Sequence, residues 1–454
     1  MSSFVTPKKW LTVPLEDVIL RIVGGGTPSK SKPEYYQGEI PWMSVKDMNK
    51  HVLQDTVDHI SQAAVDNSST NVIPAEIPII ATRMGLGKIV IADFDSAINQ
   101  DLKALFLPTE VHRDYFVYWY RSVAQKIERM GTGTTVKGIR LEVLKGLEFA
   151  LPPLAEQRVI ADKLDTLLAQ VENTKARLEH ISQILKRFRQ SVLAAAVSGR
   201  LTEGWRSGDN PERNFKNLGE AGVEVKTGPF GSALHKSDYV NGGIPVINPM
   251  HISEGTIKPS ESMTISHQKY TSLEAWHLRK GDVVVGRRGE MGRASVVESD
   301  EPQLCGTGSM ILRVGEDALP KYLEIILRSP TAVSYFNSDS VGSTMVNLNQ
   351  KIIKNFEVYF PSLSEQTEIV RRIDQLFAHA DRTEQQVNNA LAHVNNLTQS
   401  ILAKAFRGEL TEQWRKDNPA LISEENSAEA LLERIKAERA AAKPVKKTRK
   451  KAPS

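Results

Sequence analysis

The sequence contains itself twice. Gln157 and Gln366 stand 209 positions apart, and in that register "LPPLAEQRVIADKLD" lies over "FPSLSEQTEIVRRID". The match continues without a gap into the hexapeptides "LTEGWR", beginning at Leu201, and "LTEQWR", beginning at Leu410. Roughly 20 identities fall in about 55 positions, far more than two unrelated amphipathic helices share. Gly133 and Thr135 keep the same register with Gly342 and Thr344, and then it drifts. Tyr115 and Arg121 match Tyr322 and Arg328 at 207, and Arg83 and Gly85 match Arg287 and Gly289 at 204. A repeat of this size is a variable globular part followed by a helix, well beyond the roughly 20 to 50 residues of a solenoid unit.

The helical part of each copy is readable residue by residue. Ile160, Leu164, Leu167, Val171, Thr174, Leu178, Ile181, Leu185, Phe188 and Val192 alternate steps of four and three, the roughly 3.5-residue seam of a coiled coil. Ile369, Ile373, Leu376, Ala380, Thr383, Val387, Ala390, Val394, Leu397 and Ile401 repeat it. The polar seam residue, Thr174 or Thr383, falls at the same place in both, where it can fix register or simply turn its methyl inward. Pro152, Pro153 and Pro361 precede the helices, and Gly199 and Gly408 follow them where a left-handed cap belongs. From Glu156 to Val197 such a helix runs roughly 60 Å, the length of a spacer. Copies related by a pseudo-twofold axis would pair these helices antiparallel and set the globular parts at opposite ends. Thr202 and Thr411 are then placed to cap a following turn, with Trp205 and Trp414 packing back on the helix pair. The repeated patch of Leu201, Trp205, Leu410 and Trp414 equally suits two copies of one partner.

Composition narrows the class. The chain of 454 residues is 40% hydrophobic and 25% charged, which fits a soluble protein of two to four domains. No apolar run approaches the roughly 18 residues that span a bilayer, the start "MSSFVTPKKW" lacks a signal region, and Cys305 is the single cysteine. A reducing cytoplasm fits best. The net charge of +4 comes from the end: "KPVKKTRKKAPS", from Lys443, carries six basic residues, leaving 52 basic against 54 acidic elsewhere. Such a tail is usually solvated, although it can add nonspecific attraction to phosphate. A specific nucleic-acid surface must therefore come from local clusters.

Those clusters recur in both globular halves, which read as short strands and turns with occasional helices. "IPIIATRMGLGKIVIA" and "DVVVGRRGEMGRASVV" each run through a glycine loop bearing positive charge, Arg83 and Lys88 in the first, Arg287, Arg288 and Arg293 in the second. Arginine grips guanine bidentately and either cation grips phosphate, while a solvated hairpin tip explains one such loop alone. The "GTGTTVKGI" and "GSTMVNLNQK" loops add Lys137 and Asn347, with Asn349, Gln350 and Lys351 behind, and these also make ordinary turns. Lys30, Lys32 and Lys236 occupy matching early loops as weaker candidates. Catalytic signatures are missing: no phosphate loop, no H-E-x-x-H and no paired C-x-x-C. Nor is there the Asn-Pro-Pro or Asp-Pro-Pro plus aromatic that amino-methyltransferases use for a flipped base. If DNA modification is the purpose, another subunit performs it.

These features together resemble the specificity subunits of type I restriction-modification systems, over nearly the whole chain. The carrying residues are the "LPPLAEQ" and "FPSLSEQ" helix starts, the "SGRLTEGWR" and "RGELTEQWR" exits, and the G-[T/S]-x-T loops ahead of each helix. The departure is the extension after Trp414, "AEALLERIKAERAAAK" and the basic tail. The resemblance implies an α+β fold in which two mixed α/β target-recognition domains are separated by two long antiparallel coiled-coil helices. The domains expected are 1–150 and 207–359 for target recognition, 151–206 and 360–420 as central and distal helical regions, and 421–454 as extension and tail. It implies no catalysis in this chain and one half of a split, asymmetric DNA site read by each domain. Two modification subunits, binding S-adenosylmethionine and methylating adenine N6, would dock around the helices. Restriction subunits using ATP and Mg would cleave unmethylated DNA. Two readers on a rigid spacer suit half-sites about one helical turn, roughly 34 Å, apart. A coiled-coil adaptor binding proteins rather than DNA also accounts for the repeat, but it leaves the paired basic loops unexplained.

Overall fold

The computed structural model describes residues 7–49, 52–133, 136–206, 215–230, 232–339 and 347–442. Thr135, Gly342, Thr344 and the basic tail from Lys443 lie outside the described residues. The chain divides into two compact units, Met1–Ala176 with Leu391–Ser454, and Arg177–Ala390. Each unit contains one globular half and a stretch of both long helices.

In the first unit, β-branched runs such as "IPIIA" and "KIVIA" form a five-stranded sheet in the order Arg21–Gly24, Leu102–Phe106, Ile79–Ala81, Ile89–Ala92, Val52–Leu53. A second, four-stranded sheet runs Asp58–Ile60, Ile40–Met43, Ser96–Ile98, Asn71–Ile73, with Trp42 opposite Ala97 in its parallel pair. The second unit repeats the plan. Its main sheet runs Glu224–Thr227, Ser309–Arg313, Val283–Gly286, Ala294–Val296, and its other sheet again pairs two strands in parallel, Val246 opposite Leu304. The central strand order is therefore duplicated along with sequence, while the edge strands differ: Val52–Leu53 extends only the first main sheet.

The helices follow the proline and glycine signals closely. The central helix spans Leu154–Val197 and the distal helix Leu363–Phe406, 44 residues each. Gly199 and Gly408 both sit at φ 74°, the left-handed geometry that ends a helix without a Cβ penalty. In the first unit Ile160, Ala161 and Leu164, at the start of the central helix, share a core with Leu402, Ala405 and Phe406 at the end of the distal one. In the second unit Val192, Leu193, Ala196 and Val197, at the central helix's end, share a core with Ile369 and Ile373 at the distal helix's start. A start meets an end in each case, so the pairing is antiparallel. Tyr115, Trp119 and Phe149 complete the first core, and Tyr322, Phe336 and Phe356 the second.

The seam is less regular than its period suggests. Ile160, Leu164, Val171, Leu185 and Val192 are buried, as are Ile369, Ile373, Ala380, Val387 and Val394. Phe188 and Leu397, equivalent seam positions, are instead 37% and 47% exposed. A straight helix drifts about 20° per heptad from a 3.5-residue repeat, so a strict seam cannot hold every position in the contact, and Val192, one step beyond Phe188, is buried again where it joins the second unit's core. The seam threonines turn their hydroxyls back along their own helices. Thr174 donates to Gln170 O at 2.8 Å and Thr383 to His379 O at 3.0 Å, each on its own helix.

The extension after the second hexapeptide is structural. Its helix, Ala428–Ala442, buries Ala428, Leu431 and Ile435, the last two in the first unit's core. Arg434 pairs with Glu110 at 2.9 Å, Arg439 with Asp17 at 2.9 Å, and Glu438 accepts from Thr109. No described helix is long and apolar enough to cross a membrane, and no metal-binding cluster occurs among the described residues. Cys305 is buried, and desolvation pushes its thiol pKa well up.

Candidate nucleic-acid interface

The repeated hexapeptides hold the helix pair together. Glu156, at the start of the central helix and fully buried, receives Thr411 Oγ1 at 2.6 Å, Arg415 Nη1 at 2.5 Å and Trp10 Nε1 at 2.8 Å. In the second unit Glu365 receives Thr202 Oγ1 at 2.6 Å, Arg206 Nη1 at 2.7 Å and Tyr359 Oη at 3.2 Å. Each arginine also donates to the carbonyl of the helix-stopping glycine, Arg415 to Gly408 and Arg206 to Gly199. Lys163 reaches Leu410 O and Arg372 reaches Leu201 O, both at 2.8 Å. The exit of one helix thus latches the start of the other. Thr202 and Thr411 do not cap the following turn, because their hydroxyls are committed to these carboxylates. Trp205 stands 41% exposed, while Trp414 is half-buried.

The adjoining glutamines tie the helices to the globular halves. Gln157 accepts from His112 N at 2.8 Å and donates to Pro152 O, and Gln366 accepts from Leu319 N at 2.8 Å and donates to Pro361 O. Loops carried by each half are therefore fixed to a rigid mount, which is what positional precision at a binding surface requires.

In the first unit three loops converge. The hairpin from Arg83 to Lys88 joins strands Ile79–Ala81 and Ile89–Ala92. It is clasped by the loop before the central helix: Met84 N donates to Lys137 O at 3.1 Å, Ile139 N to Thr82 O at 3.0 Å, and Arg83 bridges Gly138. Arg83 keeps 53% of its side chain exposed, with one guanidinium nitrogen 3.5 Å from the buried Asp101. On the hairpin's other flank Lys88 Nζ donates to Asn49 Oδ1 at 3.0 Å, beside the 3-10 turn Val45–Asp47. Lys137 is exposed.

The second unit builds the same arrangement with other residues. Leu348 N donates to Arg287 O at 2.9 Å, Arg287 N to Gly308 O at 2.9 Å, and Arg287 Nε to Asn347 Oδ1 at 3.0 Å. Arg288 bridges Asn347 through the backbone and exposes its side chain. Burial, and secondarily Arg288, lower the Arg287 pKa, so an anion beside this pair would relieve a repulsion built into the fold. Arg293 is committed differently: it pairs with Glu290 at 2.8 Å and donates to Pro249 O at 3.1 Å. It braces the hairpin against the 3-10 turn Pro249–His251.

The early loops contribute exposed cations. Lys32 donates to Tyr35 Oη at 3.0 Å, a hydrogen bond that raises its pKa, and Lys30 lies two residues before it. Lys236 is exposed at the start of the short turn Lys236–Asp238. Thr27 meets Gln100, the neighbour of Asp101, and Thr227 Oγ1 accepts from Gln350 Nε2 at 3.1 Å. Thr27 and Thr227, ahead of these lysines, thus touch residues beside the cluster of their own unit.

A family model for the type I restriction modification DNA specificity domain matches residues 7–183 and again 218–393. The chain belongs to the type I restriction-modification DNA specificity family. Within it, the chain is 43% identical over 353 residues to the EcoBI specificity subunit of Escherichia coli, covering 75% of this chain and 74% of that one. It is 44% identical over 335 residues to the EcoKI specificity subunit of strain K12, covering 72% and 71%. The EcoDI specificity subunit of Escherichia coli is 36% identical and aligns over 99% of this chain and all of the relative. In fold it is similar to a chain of a type I R-M assembly, TM-score 0.69 at 19% identity over 89% and 99% of the two chains. The HsdS subunit of Thermoanaerobacter tengcongensis gives 0.52 at 20% over 89% and 98%. Membership makes this a specificity subunit rather than a catalytic one and sets the adaptor reading aside.

For this specificity subunit, sequence reasoning found the hairpins and their clasping loops but missed the 3-10 turns Val45–Asp47 and Pro249–His251. "SVKDMN" and "NPMHIS" stand 204 positions apart, the same offset as the hairpins, and that register would have exposed them. It also missed Asp101, whose carboxylate steadies Arg83 from a separate strand turn.

Proposed function

We propose that each globular half reads one half of a bipartite, asymmetric DNA site, with target-recognition domains at 1–150 and 207–359. The observation that carries this reading is one clasped hairpin built twice with different cations. The first has Arg83, Lys88 and Lys137, and its unit adds Lys30 and Lys32 from an early loop. The second has Arg287, Arg288, Arg293 and Asn347, and its unit adds Lys236 from the matching early loop. Like construction supplies a like task, and unlike side chains make the two half-sites differ. The helical regions 151–206 and 360–420 dock two modification subunits, with Leu201, Trp205, Leu410 and Trp414 as repeated contacts. The exposure of Trp205 on a rigid latch supports that role, since a partly wet tryptophan is a good anchor. The partners bring S-adenosylmethionine for adenine N6 methylation, and restriction subunits bring ATP and Mg to act on unmethylated DNA, in the cytoplasm.

The test is R287Q/R288Q in the complex with its modification partner. Binding to duplexes substituted base by base should lose roughly tenfold or more at one half-site, with the other half-site and assembly unchanged. Equal loss at both half-sites, or none, would remove the assignment of this hairpin to base reading.

A further inference from the structure

Each unit exposes a methionine beside its cationic cluster. Met84, at the tip of the first hairpin, is 61% exposed and adopts φ 57°, a left-handed conformation rare for such a side chain. Met250, in the middle of the second unit's 3-10 turn, is 64% exposed. The two are not equivalent positions. Offset by 204, Met84 corresponds to Arg288 and Met250 to Lys46, so each unit presents one methionine and one cation at the same two sites with the assignment exchanged.

The turn and the hairpin are held together in both units. Gly85 lies against Val45, Gly286 and Gly308 lie against Pro249, and Arg293 donates to Pro249 O. Met84 is further fixed by its own N–H to Lys137 O. Neither methionine contributes a buried side chain to stability, and the Met84 backbone stores strain, a pattern that marks ligand contacts. A thioether has no donor for phosphate and accepts a base-edge hydrogen bond only weakly. The apolar feature unique to one base in the major groove is the thymine 5-methyl group. A long, unbranched, adaptable side chain suits contact with it.

We propose that Met84 and Met250 are specificity-determining residues, each packing on a thymine methyl group in the half-site read by its own unit. This rests on the proposed DNA reading and adds which base chemistry two named side chains recognise. Arg83 and Lys137, or Arg287, Arg288 and Asn347, hold the duplex around that contact.

The experiment uses the complex with its modification partner and the target site mapped from methylation in cells carrying the system. Each thymine is replaced singly by deoxyuridine, which removes only the methyl. In each half-site one replacement should weaken binding about three- to tenfold, the scale of one buried methyl contact. M84A should abolish that sensitivity in one half-site and M250A in the other, while M84L, still apolar, retains it. Site-specific binding that ignores every deoxyuridine overturns the inference and leaves DNA reading intact. So does M84A that weakens binding yet keeps uracil sensitivity, or a half-site without thymine. Loss of all preference for the site over scrambled duplex overturns both.

Discussion

Replacing Glu365 with alanine should destabilise the second unit by about 3 to 5 kcal/mol, the cost of leaving a largely buried arginine without its carboxylate. Arg206 keeps only 12% of its side chain exposed and Glu365 only 7%. The loss therefore cannot be made good by water on both donors. Thr202, fully buried, would lose its acceptor as well, and a buried unmade hydrogen bond adds about 1 to 3 kcal/mol in its own right. T202V alone should cost less, about 1 to 2 kcal/mol, because it removes donor and demand together. The double variant E365A/R206A should be more stable than the sum of the single losses predicts, since removing the pair leaves no orphan charge. Urea unfolding of the four proteins measures this. A strictly additive cycle would mean that Arg206 and Glu365 are neighbours without coupling. E156A should act on the first unit in the same way, through Thr411, Arg415 and Trp10.

That latch shows what could be read from sequence and what could not. The duplication, the helix limits at Leu154 and Leu363, the glycine stops and the antiparallel pairing all follow from repeated spacing and from proline and glycine chemistry. The role of "LTExWR" does not, because Thr202 meets Glu365 across 163 residues and Thr411 meets Glu156 across 255. No local period carries such contacts, and a threonine just after a helix stop looks like a cap. The third donor was less legible still. Trp10 supplies it to Glu156, whereas Tyr359 supplies it to Glu365, from elements that are not equivalent.

At the candidate interface, sequence located the basic loops but could not sort their cations. Arg288 and Lys137 are exposed, while Arg293, equally basic on paper, is taken up by Glu290 and Pro249 O. Whether a charge faces solvent or braces a turn depends on which backbone carbonyl lies beside it, and that is set by the fold. The methionines were overlooked for a related reason. Apolar residues count toward a core in any periodic reading, so Met84 and Met250 stand out only once their exposure is known.

Leu164 and Leu397 are both seam positions of one unit by period, yet aspartate should affect them very differently. Leu164 is fully buried among Ile160, Tyr115 and Phe406 in the first core, so L164D removes about 2 to 3 kcal/mol of apolar burial and adds the cost of a desolvated carboxyl. The expected total is about 5 kcal/mol or more, enough to unfold a unit of ordinary stability. Leu397 is 47% exposed, so L397D should change stability by roughly 0.5 to 1 kcal/mol, with its charge left in water. Thermal melts followed by circular dichroism separate the two, and limited proteolysis locates the damage. A first unit that melts normally with L164D would mean that the helix start is not part of its core. A collapse with L397D would restore the strict coiled coil that the spacing alone suggests. Antiparallel pairing makes this contrast a sharp one: Leu164 lies ten residues after the start of its helix and Leu397 nine before the end of its own. What separates them is which side of each helix the globular core covers.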